Sequence, residues 1–367
     1  MLLNVTTVPG DGIGPEVIAE AVRVLEAVAD SFGHQLKITQ RKIGGAALLA
    51  SNDPLPPETA DACLAADAVL LGAVGGPAFD HYPRHLRPEA GLLRLRKLLG
   101  AYANLRPAKC FQAIEDCSPL RPEIVRGTDI LIVRELLGGL YFGDPRSIDG
   151  DEPQRVATNT MRYEEREIER IARVGFDLAR KRRRKLTSVD KSNVLECSRL
   201  WREVVTRIGQ EYPDVTLDHT YVDSAAMSIV LRPSDLDVML MENMFGDILS
   251  DEAGGLVGSL GLLASASIGG KVGLYEPVHG SAPALAGKLV ANPLGAILSV
   301  ALLMRHSFQL ENEAVCIETA VANVLARGNR TRDLALPGRS TLSTVEMGHK
   351  VLECVRESRE AFRPVMG

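Results

Sequence analysis

The chain has 367 residues, of which 46% are hydrophobic and 24% are charged, and its net charge is −5 at pH 7. This length predicts two lobes, and the composition is that of a globular protein. The acidic balance argues against a protein that mainly coats nucleic acid. No secretory leader is visible, the longest apolar run (PLGAILSVALLM) is too short to span a bilayer, and the six cysteines form no C-x-x-C pair. We therefore expect a cytoplasmic protein with reduced thiols that binds neither membranes nor nucleic acid.

Apolar runs alternate with amphipathic helical patterns along the chain. LLNVTTV leads through VPGDGIGPEV into a helix pattern at 15–32, and QLKITQR at 35–41 is the next strand candidate. Further strands are predicted at 67–74, 129–136, 185–191, 216–223 and 237–243, and further helices at 165–182, 194–212 and 311–328. The alternation predicts an α/β fold with a mainly parallel sheet. Dense Pro and Gly at 144–153 predicts a protruding hairpin or arm.

The first glycine loop, VPGDGIGPEV, has two readings. Gly10, Gly12 and Gly14 could hold a dinucleotide phosphate, as in a Rossmann fold. However, Val17 stands where the third glycine is needed, and QLKITQR ends without the acid that binds ribose hydroxyls. Pro15 suits the first turn of a helix, so the glycines can equally make a tight strand-to-helix turn.

Acidic residues follow two predicted strands. In ENMFGDILSDEAGG (242–255), Asp247 and Asp251 lie four apart and share a helix face. Asp223 closes another strand, and Lys191 closes a third. Carboxylates at strand ends suit Mg²⁺ or Mn²⁺, and a lysine beside them can act as a base. The alternatives are helix-start acids that complement the dipole, and for Lys191 a salt bridge to Asp190 or a neighbouring acid.

Three arginines, Arg96, Arg106 and Arg134, suit a small di-acid because a guanidinium pairs bidentately with a carboxylate. Tyr141 follows Arg134 closely and could pass a proton to a carbanion. A second glycine-rich loop, YEPVHGSAPALAGK (275–288), has small residues that let backbone N–H groups approach an anion. The basic run RKRRRK (180–185) is read as a helix end, where cations complement the dipole.

These motifs together resemble the isocitrate/isopropylmalate family of β-decarboxylating dehydrogenases, nearly from end to end. The resemblance is carried by PGDGIGPEV, LLGAVGGP, GLLRLRK, YANLRP, VRELLGGLYFG, VDKSNVLECSRLW, YVDSAAM, ENMFGDILSDEA, GSLGLLASAS, EPVHGSAP and ANPLGAILS. It implies a two-domain fold with a mainly parallel central sheet that is not a Rossmann fold. Residues 1–104 and 257–367 would form the cofactor-side domain, and 105–256 the substrate and dimerisation domain with an arm near 144–165.

The resemblance also implies an activity and its residues. The reaction would be the oxidative decarboxylation of 3-isopropylmalate to 2-oxoisocaproate and CO₂ with reduction of NAD, in leucine biosynthesis. The first glycine loop would then be a turn at the cofactor's edge. The protein would be a homodimer in which Lys191 and Asp223 of each subunit enter the active site of the other subunit. The implied roles are malate carboxylate binding by Arg96, Arg106 and Arg134; Mg²⁺ or Mn²⁺ binding by Asp223, Asp247 and Asp251; proton transfer by Lys191 and Tyr141; and NAD binding by Glu276, His279, Gly280, Ser281, Ala282 and Asn292.

Substrate choice rests on PEAGLLRLR, where Glu89, Leu92 and Leu93 precede Arg96. Relatives that take isocitrate carry Ser and Asn there, whereas two leucines make an apolar wall suited to an isopropyl group, to which Val194 would add. The alternative is that the leucines are ordinary helix core.

Ala284 departs from the resembled family, whose NAD-dependent members carry Asp at this position to hold the adenosine ribose. We expect weaker NAD affinity and weaker discrimination against NADP for this reason. A dehydrogenase for another 3-substituted malate, or for malate or tartrate, and a non-catalytic regulatory homologue remain as competing interpretations.

Overall fold

The computed structural model describes residues 1–336 and 338–362, the side chains of 358–362 excepted. In this part of the chain the strands are β1 (Leu2–Gly10), β2 (Gln35–Gln40), β3 (Ala68–Ala73), β4 (Ala103–Lys109), β5 (Asp129–Glu135), β6 (Ser147–Asp149), β7 (Val156–Thr158), β8 (Lys185–Asp190), β9 (Thr216–Tyr221), β10 (Val238–Met241), β11 (Ala264–Ile268) and β12 (Gly273–Pro277).

The α-helices of the described residues are α1 (Gly14–Ser31), α2 (Gly45–Ser51), α3 (Pro57–Leu64), α4 (Pro88–Leu99), α5 (Pro122–Val125), α6 (Glu165–Arg180), α7 (Glu196–Gly209), α8 (Val222–Leu231), α9 (Asn243–Leu256), α10 (Leu294–Ser307), α11 (Glu311–Ala326) and α12 (Thr344–Phe362). Short 3₁₀ turns include Gly139–Tyr141. Each strand and helix predicted from the sequence is present with ends shifted by a few residues, as fraying termini lead one to expect. No helix of the described residues is long and apolar enough to cross a membrane.

The chain divides into two compact units. The first comprises residues 1–101, 111–119 and 257–367, and the second comprises 102–110 and 120–256. In the first unit the strand order is β2-β1-β3-β12-β11, in which only the β11–β12 pair is antiparallel. In the second the order is β4-β5-β10-β8-β9, in which only β4–β5 is antiparallel. The expected α/β fold with a mainly parallel sheet, different from a Rossmann fold, is confirmed.

Burial explains the helices of both units. The apolar run at 293–304 forms α10, which is buried on nearly every side and packs against α1 and α11 in the first unit. In the second unit α6 begins with a capping box between Glu164 and Glu167 and buries the face that carries Ile168, Ile171 and Phe176. The cores thereby hold the strand ends, on which the candidate site residues lie, in fixed positions.

The predicted arm contains a short hairpin. Strands β6 and β7 pair antiparallel, from Ser147 opposite Thr158 to Asp149 opposite Val156. All residues of both strands are exposed, including the large apolar side chains of Ile148 and Val156. Within this chain the hairpin therefore has no core of its own.

Candidate active site

The first glycine loop is a tight turn, and three of its N–H groups already have backbone partners. Asp11 N donates to Ala73 O (2.7 Å), Ile13 N donates to Ser281 O (2.8 Å) and Gly14 N donates to Asp11 O (2.9 Å). A Cβ on Gly12 would lie 1.9 Å from Ser281 O, and the φ of Gly12 is +58°. The glycines are needed because the loop crosses two neighbouring loops at backbone contact distance, so the interpretation as a turn is the one that the geometry supports.

Asp11 organises the backbone around this turn. Its carboxylate accepts hydrogen bonds of 2.8 Å from Gly45 N, Ala46 N and Gly75 N. Gly45 and Ala46 lie in the first turn of α2, where helical N–H groups have no intrahelical partner. No role for Asp11 was predicted from the sequence, although a polar residue between two turn glycines is a typical signal for such backbone hydrogen bonding.

Arg96 is the candidate substrate arginine of the first unit. It lies on α4, and its Nη2 donates to Glu276 Oε1 on β12 at 2.7 Å. Both side chains are largely buried. Within the described residues Arg96 Nε is buried without a hydrogen-bond acceptor. Because such a donor is costly to leave unpaired, it suits an anionic ligand.

The second glycine-rich loop contains the predicted cofactor residues other than Asn292. His279 Nδ1 lies 3.0 Å from Gly280 O, whereas His279 Nε2 is buried and has no partner in the part of the chain that is described. Burial lowers the pKa of His279 below its ordinary value of 6.5. Asn292 is buried, donates to Asp333 Oδ2 and accepts from Leu294 N, both at 3.0 Å. The loop thus presents a neutral imidazole with one unused polar atom.

Ala284 and its neighbours are more open. Ala284 is exposed on this loop, and Ala282 adopts a φ of +39°. Ser281, in contrast, is buried, and its carbonyl accepts the bond from Ile13 N. The first glycine loop therefore supports the second one.

Arg134 is the most buried of the candidate arginines. It lies on β5, where β10 is its parallel neighbour, so its side chain meets the start of α9 directly after β10. Its Nε and Nη2 donate to Asn243 Oδ1 (3.0 and 2.7 Å), and its Nη1 donates to Asp247 Oδ1. A Cβ on Gly246 would lie 2.5 Å from Arg134 Cγ, which explains a glycine in the first turn of this helix.

Arg106 joins the same cluster from β4. Its Nη1 donates to Ser250 Oγ (2.7 Å) and to Asp251 Oδ1 (3.1 Å), and its Nη2 lies 3.4 Å from Asp247 Oδ1. Its Nε donates to Asn104 Oδ1 at 2.9 Å. Asp247 and Asp251 do share a face of α9, as predicted, and two guanidinium groups compensate their mutual repulsion.

Tyr141 completes this cluster. Its hydroxyl donates to Asp247 Oδ2 at 2.8 Å, and the Arg134 guanidinium carbon lies 5.6 Å from its ring centroid. Burial and the neighbouring Asp247 raise the pKa of Tyr141, which keeps the phenol protonated at neutral pH. Burial raises the pKa of Asp247 less than Arg134, Arg106 and the Tyr141 hydroxyl lower it, so Asp247 is ionised. Asp251 differs, because burial and the charge of Asp247 raise its pKa.

Lys191 pairs with the third predicted metal ligand. Its Nζ lies 2.6 Å from Asp223 Oδ1, and this hydrogen bond lowers the pKa of Asp223. The alternative partner, Asp190, is instead buried and bound by Arg202 at 2.8 Å. Among the described residues no three His, Cys, Asp or Glu side chains are grouped to hold a metal ion. One chain therefore gathers Asp247 and Asp251 but does not add Asp223 to them.

The predicted alkyl pocket residues lie in different settings. Leu92 packs against the core cluster of the first unit that contains Leu95 and Leu99, so helix packing accounts for part of its role. Leu93 is half-buried and Glu89 is exposed, with its carboxylate against Gly75. Val194, in the second unit, is 67% exposed.

The basic run has acidic partners within the chain. Arg180 pairs with Asp214 at 2.6 Å, and Arg182 pairs with Asp237 at 2.7 Å and Asp129 at 2.9 Å. The reading of this run as a structural helix end is supported by these contacts.

The comparisons with known proteins decide the family. A family profile described as "Isocitrate/isopropylmalate dehydrogenase" matches residues 4–351. The chain is 50% identical to "3-isopropylmalate dehydrogenase" of Aquifex aeolicus over 98% of this chain and 99% of that protein. It is 54% identical to the protein of the same name of Anaeromyxobacter dehalogenans over 96% of this chain and 99% of that protein. The chain belongs to the isocitrate/isopropylmalate dehydrogenase family.

Solved structures of the family agree. An isocitrate dehydrogenase from Methylococcus capsulatus has a TM-score of 0.85 and 36% identity, covering 96% of this chain and 99% of that one. A β-decarboxylating dehydrogenase from Thermococcus kodakarensis has a TM-score of 0.79 and 33% identity, covering 99% of both chains. The family resemblance is thereby confirmed over nearly the whole chain, including both units.

Proposed function

We propose that this protein oxidises 3-isopropylmalate at C2 with NAD as acceptor and decarboxylates it to 2-oxoisocaproate. The observation that carries the proposal is the cluster of Arg106, Arg134, Tyr141, Asp247 and Asp251. It combines anion-binding guanidinium groups, ionisable oxygen ligands and a protonated phenol, which are the parts that such a reaction needs. Curated relatives that are half identical over nearly the full chain carry the name of this enzyme.

The arginines would bind the substrate's two carboxylates. The fork of Arg134 is already fixed by Asn243, so little side-chain entropy is lost on binding. The unpaired, buried Nε of Arg96 would donate a hydrogen bond to one of these carboxylates. As the resemblance implies, Leu92, Leu93 and Val194 would contact the isopropyl group, and Glu89 would also bind the substrate.

The residues present fit a divalent cation and a nicotinamide dinucleotide. Asp247 and Asp251, with Asp223 from a second copy, would supply the hard oxygen ligands that Mg²⁺ or Mn²⁺ prefers. Bound metal would polarise the C2 oxygen during decarboxylation. Bound NAD would lie along Glu276, His279, Gly280, Ser281, Ala282 and Asn292, and would accept hydride from C2. The buried, unpartnered His279 Nε2 supports this placement.

Two side chains of the protein would move protons. Lys191, directly or through a water, would remove the proton of the C2 hydroxyl as the hydride leaves. After CO₂ departs, Tyr141 would deliver a proton to C3, because its raised pKa keeps it protonated. Asp247 holds the phenol by accepting its hydrogen bond, which fixes the direction of approach.

We further propose a homodimer with shared sites. Met227 and Leu231 on α8 and Ile248 on α9 are large apolar residues that stay exposed in one chain. An exposed apolar surface of this kind is typical of an interface. Lys191 and Asp223 lie as a pair outside the carboxylate cluster of their own chain, so they would serve the partner's site, with the 147–158 hairpin adding to the interface.

Mixing two severely impaired variants tests the sharing of residues. Lys191→Ala and Tyr141→Phe each remove one proton-transfer group from every site. If the groups come from different chains, an unfolded and refolded equal mixture recovers about a quarter of wild-type activity, since half of the dimers are hybrids with one intact site. If both groups come from one chain, the mixture keeps the low activity of the separate variants.

The function itself is tested by steady-state turnover of 3-isopropylmalate with Mg²⁺, run in parallel with NAD⁺ and NADP⁺. We expect metal-dependent NADH formation, a raised KM for NAD⁺ because of Ala284, and weak discrimination against NADP⁺. Faster turnover of malate, tartrate or another 3-substituted malate would transfer the assignment to that substrate. Absence of turnover with all of them would support the non-catalytic alternative. We also propose a cytoplasmic location, consistent with the free cysteines of the described chain.

A further inference from the structure

Asn243, the first residue of α9, lies beneath the candidate active site and is completely buried. Its Oδ1 accepts two hydrogen bonds from Arg134, from Nε at 3.0 Å and from Nη2 at 2.7 Å. Its Nδ2 donates to two main-chain carbonyls, Leu136 O at 3.1 Å and Gly138 O at 3.0 Å. The amide thereby uses both acceptor sites and both donors.

Only one orientation of this amide satisfies its neighbours. Arg134 presents donors and no acceptor, whereas the carbonyls of Leu136 and Gly138 are acceptors only. A flipped amide would place its NH₂ group against the two Arg134 donors and its oxygen against the two carbonyl oxygens, all in a buried site. The geometry therefore fixes a link from the guanidinium of Arg134 to the backbone that leads into the turn at Gly139–Tyr141.

The turn is further held by contacts of Glu135 and Tyr163. Gly138 N donates to Glu135 Oε2 at 2.7 Å, and a Cβ on Gly139 would lie 2.6 Å from the Tyr163 hydroxyl. That hydroxyl accepts from Asn243 N at 3.0 Å and donates to Glu242 Oε2 at 3.2 Å. These contacts fix where the turn lies, while the Asn243 side chain fixes the position of the turn relative to Arg134.

We propose that Asn243 is a positioning residue that couples the substrate-binding arginine Arg134 to the proton donor Tyr141. The inference rests on the proposed function. Arg134 and Tyr141 touch the same carboxylate, Asp247, through separate oxygens. A shift of the Gly139–Tyr141 turn relative to Arg134 would move the phenol away from the carbon that it protonates, and small misplacements of a catalytic group cost large rate factors.

Asn243→Asp separates the two halves of the link. A carboxylate still accepts from Arg134, but it presents an oxygen instead of donors to the carbonyls of Leu136 and Gly138. We expect kcat for 3-isopropylmalate to fall by about tenfold or more, since a lost pair of buried hydrogen bonds displaces the turn. The KM for 3-isopropylmalate should stay within about threefold of wild type, because Arg134 keeps its partner.

The proton-transfer step can be measured alone. In D₂O, enzyme-catalysed exchange of deuterium into C3 of added 2-oxoisocaproate, measured without net turnover, reports proton transfer at the carbon that Tyr141 protonates. This exchange should fall in parallel with kcat in Asn243→Asp. In the double variant Asn243→Asp/Tyr141→Phe, kcat should lie within about threefold of Tyr141→Phe alone, because a positioning residue has nothing left to position.

Matched variants control for folding. Asn329→Asp removes an amide donor from another main-chain carbonyl, Val324 O at 3.0 Å, away from the cluster, and should leave kcat and KM unchanged. Asn243→Ser removes both halves of the link, so it should raise the KM as well as lower kcat. Circular dichroism at the assay temperature establishes that each variant is folded.

The outcomes are separable. If wild type fails to turn over 3-isopropylmalate, the proposed function fails. If wild type is active but Asn243→Asp keeps its kcat, or its effect multiplies fully with that of Tyr141→Phe, the positioning role is overturned. If Asn243→Asp and Asn243→Ser are both unfolded while Asn329→Asp is folded, the amide acts on stability alone and the positioning role is equally overturned.

Discussion

The first glycine loop gives a direct test of the turn interpretation through Asp11. Its carboxylate receives three backbone N–H groups at 2.8 Å, two on one oxygen and one on the other. Asp11→Ala removes all three bonds. Hydrogen bonds to a charged group contribute about 1.5–3 kcal/mol each, and water can replace part of them at this half-buried site, so we expect a loss of about 3–6 kcal/mol in the free energy of unfolding.

Asp11→Asn refines the expectation. In its better orientation the amide oxygen keeps the bonds from Gly45 N and Gly75 N, and its NH₂ group faces Ala46 N. One donor is then left unpaired, so we expect a smaller loss of about 1–3 kcal/mol. Asp67→Ala serves as the control, since it removes a carboxylate that is exposed and accepts only one such bond, from Asn4 N at 3.1 Å.

Urea unfolding followed by far-UV circular dichroism measures these differences. The chain's single tryptophan, Trp201, lies on α7 in the second unit, so its fluorescence does not report on the unit that contains Asp11. The dissociation constant of NADH should rise in Asp11→Ala as well, because Ile13 N of the same turn supports Ser281 O. Equal unfolding midpoints for Asp11→Ala and Asp67→Ala would refute the account of this turn.

Three further predictions concern the cofactor and substrate residues. Ala284→Asp should lower the KM for NAD⁺ by about tenfold or more, because a charge-assisted bond to ribose contributes about 1.5–3 kcal/mol, and it should not lower the KM for NADP⁺. An unchanged KM for NAD⁺ would contradict the role given to Ala284. His279→Gln should make the free energy of unfolding less dependent on pH. Burial lowers the pKa of His279 in the folded state below its ordinary 6.5, so the contribution of His279 to stability is present above that value and is lost as the pH falls through the folded pKa. The urea midpoint of wild type should therefore drop more between pH 7 and pH 5 than that of the variant. Arg96→Lys should raise the KM for 3-isopropylmalate about tenfold, since a lysine has no second donor in place of the buried Nε. If steady-state kinetics show an unchanged KM, Arg96 pairs with Glu276 and does not bind the substrate.

The regular elements were predictable from the sequence because their hydrophobic periods are strong. The runs at 67–74 and 237–243 became β3 and β10, every residue of which is buried. The sequence analysis did not name β11 or β12. Their residues, ASASI and GLYEP, are small or turn-forming, so their strand signal is weak, although tertiary pairing buries almost all of them. Local propensity therefore fails where neighbouring strands decide the structure.

The candidate site was predictable only in part, for a related reason. The arginines, acids and Tyr141 of the second unit were identified by residue type and motif, and three of these side chains (Arg106, Arg134 and Tyr141) meet at Asp247 in the structure. Which acid Lys191 contacts was not predictable, because Asp190 is adjacent in sequence but turns inward to Arg202. Side-chain direction at a strand end depends on the final residue's place in the pleat, which the sequence specifies only to within one residue.

Backbone hydrogen bonding separates the polar residues of these motifs into two groups. A buried N–H or C=O needs a partner, and helix starts and tight turns leave several without one. Asp11 satisfies such N–H groups at α2, Glu242 accepts from Met244 N and Phe245 N at the start of α9, and Asn243 satisfies two carbonyls. Asp247 and Asp251, in contrast, direct their carboxylates toward side chains. A polar residue at the start of a helix in such a motif is thus first a candidate for binding backbone groups, whereas a polar residue one turn later is a candidate for catalysis or ligand binding. In ENMFGDILSDEA, Asn243 and Asp247 are only four residues apart and differ in this way.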